Sequence, residues 1–134
     1  MYRLTFILLC LLSFGFGLKA QRVTDSSFRT MAYFKDDGTV QDGSFRTILY
    51  IKSDGRVQDS SFRTLAYLKN NGTVQDASFR TLGYIKPDGT VQDASFRTLG
   101  YIKKDGVVQD ASFRTVGHAD GIRARWAAFF FFFL

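Results

Sequence analysis

Phenylalanine recurs at Phe28, Phe45, Phe62, Phe79, Phe96 and Phe113, each seventeen residues from the last and each inside Ser-Phe-Arg-Thr. An aspartate stands three residues before every one of them, from Asp25 to Asp110. Five residues after them come Tyr33, Tyr50, Tyr67, Tyr84, Tyr101 and, in the sixth copy, His118. Five copies then run through Lys to a turn dipeptide whose glycine is Gly38, Gly55, Gly72, Gly89 or Gly106. A period this strict restricts the chain to architectures in which each copy buries its apolar face against equal neighbours.

Seventeen residues are too few for a helical hairpin repeat, which takes thirty or more. They suit two short strands and two turns. Arg97-Thr98-Leu99-Gly100-Tyr101-Ile102-Lys103 is rich in strand formers and has no helical period. Asp-Gly between apolar runs signals a hairpin. In Lys86-Pro87-Asp88-Gly89-Thr90 the proline suits the second position of a type I turn, with a left-handed Gly89 behind it. That loop places Ile85 opposite Val91. Simple alternation then puts Phe79, Thr81, Gly83, Ile85 and Val91 on an inner face, with Arg80, Leu82, Tyr84, Lys86 and Gln92 on the other, which looks outward or packs against neighbouring hairpins.

The chain enters on Arg22-Val23-Thr24-Asp25 and leaves on the strand beginning at Phe113, so the two end strands are partners within the repeat. Pairing them closes an antiparallel ring of about twelve short strands and removes its open edges. The fold class is therefore all-β. Whether the ring is five-fold or six-fold stays open at this point. Such a ring is wider than an eight-stranded barrel filled by its own side chains. The tail Trp126 to Leu134, with five consecutive phenylalanines, is apolar throughout and is expected to fill the centre. A short helix facing Ala32, Ala66, Gly83, Gly100 and Gly117 is the favoured form, and a buried strand is the alternative.

Residues 1–20 belong outside this ring. Arg3 precedes a fifteen-residue apolar run, Leu4 to Leu18, that ends in Leu18-Lys19-Ala20. This is the pattern of a cleaved signal peptide and implies a secreted or periplasmic protein. The domains are then the leader at 1–20, the ring at 21–122 and the plug at 123–134. Beyond the leader there is no cysteine, so packing and hydrogen bonds must hold an exported domain together. Sixteen of the eighteen basic residues lie beyond residue 20, against twelve Asp and no Glu, a net charge near +4.

With its repeated DGxVQDxSFRTxGYI, the stretch from about residue 22 to 121 resembles the β-flowers, secreted bacterial repeat proteins that form shallow rings of short hairpins. The resemblance implies a fold and no activity. More distantly, twelve strands around a C-terminal apolar plug are similar to the Tubby-like architecture, whose eukaryotic members bind phosphoinositides. That likeness is topological, and no lipid-binding motif is matched.

The residues point away from catalysis. A Ser-His-Asp site would need His118, the only histidine, and no base, nucleophile and orienting group stand together. A glycosidase pair needs carboxylates in unlike environments, whereas six equivalent aspartates sit in like ones. Their plain role is an Asx-turn accepting backbone N–H groups two residues on. Calcium would want six to eight oxygens, more than each loop offers. Arg29, Arg46, Arg63, Arg80, Arg97 and Arg114 are expected to pair with the neighbouring aspartates. No catalytic residue, metal site or cofactor is expected, and the chain is expected to be a monomer. The candidate ligand surface is the outward set Tyr33, Tyr50, Tyr67, Tyr84, Tyr101 and His118, which could stack on sugars or pack between hairpins. The leading function is a non-enzymatic binding or adhesion module for a glycan, lipid or envelope protein. A purely structural envelope role is the alternative, a Tubby-like lipid-binding module ranks behind it, and nucleic acid is disfavoured by export and modest charge.

Overall fold

A computed structural model describes residues 20–134; the leader expected at 1–20 lies outside the described residues except for Ala20, which begins the first strand. The strands are β1 (Ala20–Asp25), β2 (Thr30–Lys35), β3 (Thr39–Asp42), β4 (Thr47–Ile51), β5 (Arg56–Asp59) and β6 (Thr64–Leu68). They continue as β7 (Thr73–Asp76), β8 (Thr81–Ile85), β9 (Thr90–Asp93), β10 (Thr98–Ile102), β11 (Val107–Asp110) and β12 (Thr115–His118), followed by α1 (Ala124–Phe132). Each strand pairs antiparallel with its neighbours in sequence, and β1 pairs with β12, so the sheet is a closed twelve-stranded ring. The seam is a short ladder in which Thr24 faces His118 and Asp25 faces Gly117. The ring thus holds six hairpin units, the sixth made by the two chain ends.

The inner wall is built in layers that follow the repeat. Val23, Val40, Val57, Val74, Val91 and Val108 are all fully buried, one from each unit. Each buried valine is worth roughly 1.5–3 kcal/mol. A second layer holds Phe34, Ile51, Leu68, Ile85, Ile102 and Ala119, all buried. Ile85 lies opposite Val91, as the three-residue turn requires. The third layer breaks the symmetry: Ala32, Leu49 and Ala66 on one side, Gly83, Gly100 and Gly117 on the other.

Those glycines make room for the plug. A β-carbon at Gly83 would lie 2.7 Å from the Phe133 ring and one at Gly117 would lie 2.6 Å from Phe131, while at Gly100 it would collide with Phe132. The tail is a helix, with Trp126, Ala127, Ala128 and Phe129 buried and Phe130 to Phe133 half-buried. Of the five phenylalanines only Phe129 is fully inside; the others meet the wall at the helix's open end. Phe34 meets Phe130 edge to face at 5.5 Å and lies 6.4 Å from Trp126, which anchors the helix to the bulkier side.

Strict alternation fails at one place in each unit. Between β9 and β10, Thr98 faces Gln92 and Gly100 faces Val91, so Leu99 is an extra residue in a β-bulge. Bulges at the same repeat position recur around the ring. A bulge re-aims the residues before it. Leu82, expected outside, is half-buried against the core, and Phe79, expected inside, is 63% exposed. Gly83, Tyr84 and Ile85, beyond the bulge, keep their expected faces.

Candidate binding rim

In an up-and-down ring alternate connections share an end. The five Asp-Gly and Asn-Gly turns therefore form one rim, together with the start of β1 and the entry of the helix. The six Ser-Phe-Arg turns form the other. Both rims use the same loop. At the glycine rim the N–H of Gly89 donates to the Lys86 carbonyl at 2.9 Å, and that of Lys86 to the Thr90 carbonyl at 2.8 Å. At the opposite rim the N–H of Phe79 donates to the Asp76 carbonyl at 3.0 Å, and that of Asp76 to the Arg80 carbonyl at 2.8 Å. The left-handed third position is glycine on one rim, with φ of 90–93° in the five turns, and phenylalanine on the other, with φ of 66–68°.

A bulky residue with positive φ is a steric outlier. Such a position costs on the order of 1–3 kcal/mol and persists only where the surroundings enforce it. Here the enforcing group is the aspartate. Oδ1 of Asp76 accepts the N–H of Ser78 at 2.8 Å and of Arg80 at 3.0 Å, and Oδ2 accepts Nε of Arg80 at 3.0 Å. The same three bonds recur in every unit, from Asp25 to Asp110. Each carboxyl titrates below its ordinary value, first because of the backbone N–H of the arginine, against an opposing effect of burial. The Asx-turn and the arginine pairing expected from the sequence are both present.

The phenylalanine rings are 62–65% exposed. Each stacks on the tyrosine of the preceding unit: Tyr33 with Phe45, Tyr50 with Phe62, Tyr67 with Phe79, Tyr84 with Phe96 and Tyr101 with Phe113, at 4.8–4.9 Å and 6–18° between planes. His118 completes the cycle against Phe28. The tyrosine set is therefore half-buried packing between units, and the freely presented aromatics are the phenylalanines. Sequence reasoning missed them because it placed them inside on a strand. The usable signal was their distance from Asp: a residue three after Asp, followed by Arg, occupies the slot that glycine fills three after Lys86.

Beside each phenylalanine lies an arginine whose side chain is 79–82% exposed. Its Nε donates to the aspartate, and no hydrogen bond among the described residues uses its two terminal amino groups. With six aspartates and six arginines this rim carries no net charge. The remaining ten basic residues and six aspartates beyond residue 20 belong to the half that holds the glycine turns and the helix entry, so the net +4 sits there. On that half Arg123 lies over the Trp126 ring at 4.8 Å, and an open groove of about 390 Å³ separates Asp88 from Lys103, Lys104 and Asp105. No cluster of three or more metal-ligating side chains occurs among the described residues.

Short hairpins repeated around an axis, closed by their own ends and filled by a C-terminal helix, define a repeat-built β-ring. The family model described as 5-fold beta-flower protein matches residues 19–134, and the chain belongs to that family. Its own ring, with twelve strands, has six units where the family's description says five. No curated protein and no solved structure matches the chain.

Proposed function

We propose that this β-flower is an exported, non-enzymatic binding module and that the phenylalanine rim is its binding surface. The observation that carries the reading is the contrast between two rims with one turn geometry. Glycine fills the left-handed position without steric cost. Phenylalanine fills it six times at the opposite end, with most of each ring exposed. Residues held in strained conformations cluster where a chain binds something. The aspartates favour binding over catalysis, because each is held ionised in a turn and is unsuited to donate a proton as a general acid. His118 lies flat against Phe28 in the packing slot of the tyrosines.

The test is a side-by-side screen of residues 21–134 and a variant carrying Phe62→Gly, Phe79→Gly and Phe96→Gly against glycan, lipid and envelope-protein arrays. Ligands retained by the parent and lost by the variant are expected. Equal behaviour of the two, or no ligand for either, would favour a structural envelope role instead. Export is checked by the intact mass of the secreted protein, expected to begin at or near Gln21.

A further inference from the structure

We propose that the phenylalanine rim binds a neutral glycan chain, with pyranose rings seated on the open faces of the phenylalanines and their hydroxyls held by the adjacent arginines. This deepens the reading of the rim as the binding surface and rests on it. The first ground is the shape of the aromatic surface. One face of each phenylalanine is covered by a tyrosine or histidine at 4.2–4.9 Å, nearly parallel, so the ring lies flat as a platform. A pyranose has a complementary flat C–H face that loses water on stacking.

The second ground is the polar edge beside the platform. Arg80 presents a planar fork of donors whose orientation is set by the bond from its Nε to Asp76 at 3.0 Å. Neighbouring hydroxyls on a sugar ring can accept from such a fork in a way that a single ammonium could not reproduce. Ser78 lies within the same turn and is exposed. Each unit thus offers an apolar plane flanked by hydrogen-bonding groups, which is the chemistry of a sugar turned inside out.

Charge separates this ligand from the other candidates. Anionic lipid and single-stranded nucleic acid are drawn by net positive charge. The phenylalanine rim has none, since each arginine is matched by its aspartate. The chain's net positive charge lies at the other end of the ring. Six equivalent platforms suit a ligand that repeats, and a polymer touching several of them gains avidity over a short piece of itself.

The experiment measures retention of residues 21–134 in native gels containing soluble β-glucan, mannan, galactan or xylan, at low and high salt. Dextran sulfate and phosphatidylglycerol vesicles serve as polyanion and lipid probes. Retention by at least one neutral polymer is expected, insensitive to salt and stronger than for its short oligomers. It should weaken about tenfold or more in the Phe62→Gly/Phe79→Gly variant, whose two sites no longer add avidity. Arg63→Lys, which keeps the charge and loses the fork, should weaken it as well while leaving the melting temperature close to the parent's. Retention only by dextran sulfate or vesicles, lost in the rim variant, would overturn the glycan and leave the rim standing. Glycan retention untouched by both variants would overturn the rim itself, and no retention by any neutral polymer would overturn the inference.

Discussion

His118 stacks on Phe28 with centroids 4.2 Å apart and planes 10° from parallel, so the last unit grips the first as every other unit grips the next. Ninety residues separate the two in the chain, and the backbone seam beneath them is short. The pair does at the closure what a tyrosine does elsewhere. His118→Tyr should therefore be tolerated, while His118→Ala should cost about 0.5–1.5 kcal/mol, the worth of a stacked aromatic pair. Equilibrium urea unfolding of both variants checks the difference.

Acid should loosen the phenylalanine rim. The six turn aspartates have folded pKa values below their ordinary 3.8, the arginine N–H being the leading cause. A depressed carboxyl contributes stability above its unfolded pKa and loses it as pH falls through the folded one. Asp37 and Asp88 on the glycine rim act in the same sense, through the N–H groups of Thr39 and Thr90. The melting temperature should thus be level from neutrality to about pH 5 and fall below about pH 4. A melting temperature that holds steady through that lower range would contradict the hydrogen-bonded turns.

Much of this fold was legible because the repeat states its own register. Pro87-Asp88-Gly89 fixed the turn, and the turn fixed Ile85 against Val91. The complementary end strands implied closure, and the small residues at Gly83, Gly100 and Gly117 announced something bulky inside. The phenylalanine rim was not legible. Alternation carries a strand's faces only up to a bulge, and Leu82 and Leu99 look like ordinary strand residues. Phenylalanine in a left-handed turn also runs against the steric preference that makes glycine readable there. The stacking of Tyr67 on Phe79 depends on both, so packing of the tyrosines between hairpins was legible and the partners they pack on were not.

The plug should be indispensable. Trp126 and Phe129 are buried inside the ring, and burial of such side chains is worth roughly 1.5–3 kcal/mol each, against a net stability of about 5–15 kcal/mol for a small domain. Deletion of Trp126 to Leu134 should give an insoluble or molten product, read by the loss of near-ultraviolet dichroism. A milder probe is Gly100→Ala, whose β-carbon would meet both Phe132 and the carbonyl of Gln109. Overpacking of this kind costs on the order of 1–3 kcal/mol. A truncated chain that still melts cooperatively at the parent temperature would contradict the filled ring.

The sharpest test compares Phe79→Gly with Gly89→Val in chemical denaturation, because the two residues hold the same position of the same turn on opposite rims. Phe79→Gly removes a strained side chain worth roughly 1–3 kcal/mol in cost. It also gives up a stack of about 0.5–1.5 kcal/mol and adds a glycine penalty of about 0.5–1 kcal/mol. These nearly cancel, so the stability should stay within about 1 kcal/mol of the parent. Gly89→Val has no such offset: φ is 93° and a β-carbon there would collide with the carbonyl oxygen of Ile102. It should lose more than about 2 kcal/mol, or fail to fold. That asymmetry would mark the phenylalanines as kept for what they present to the outside. A loss for Phe79→Gly as large as that for Gly89→Val would instead make them part of the scaffold and contradict the binding rim.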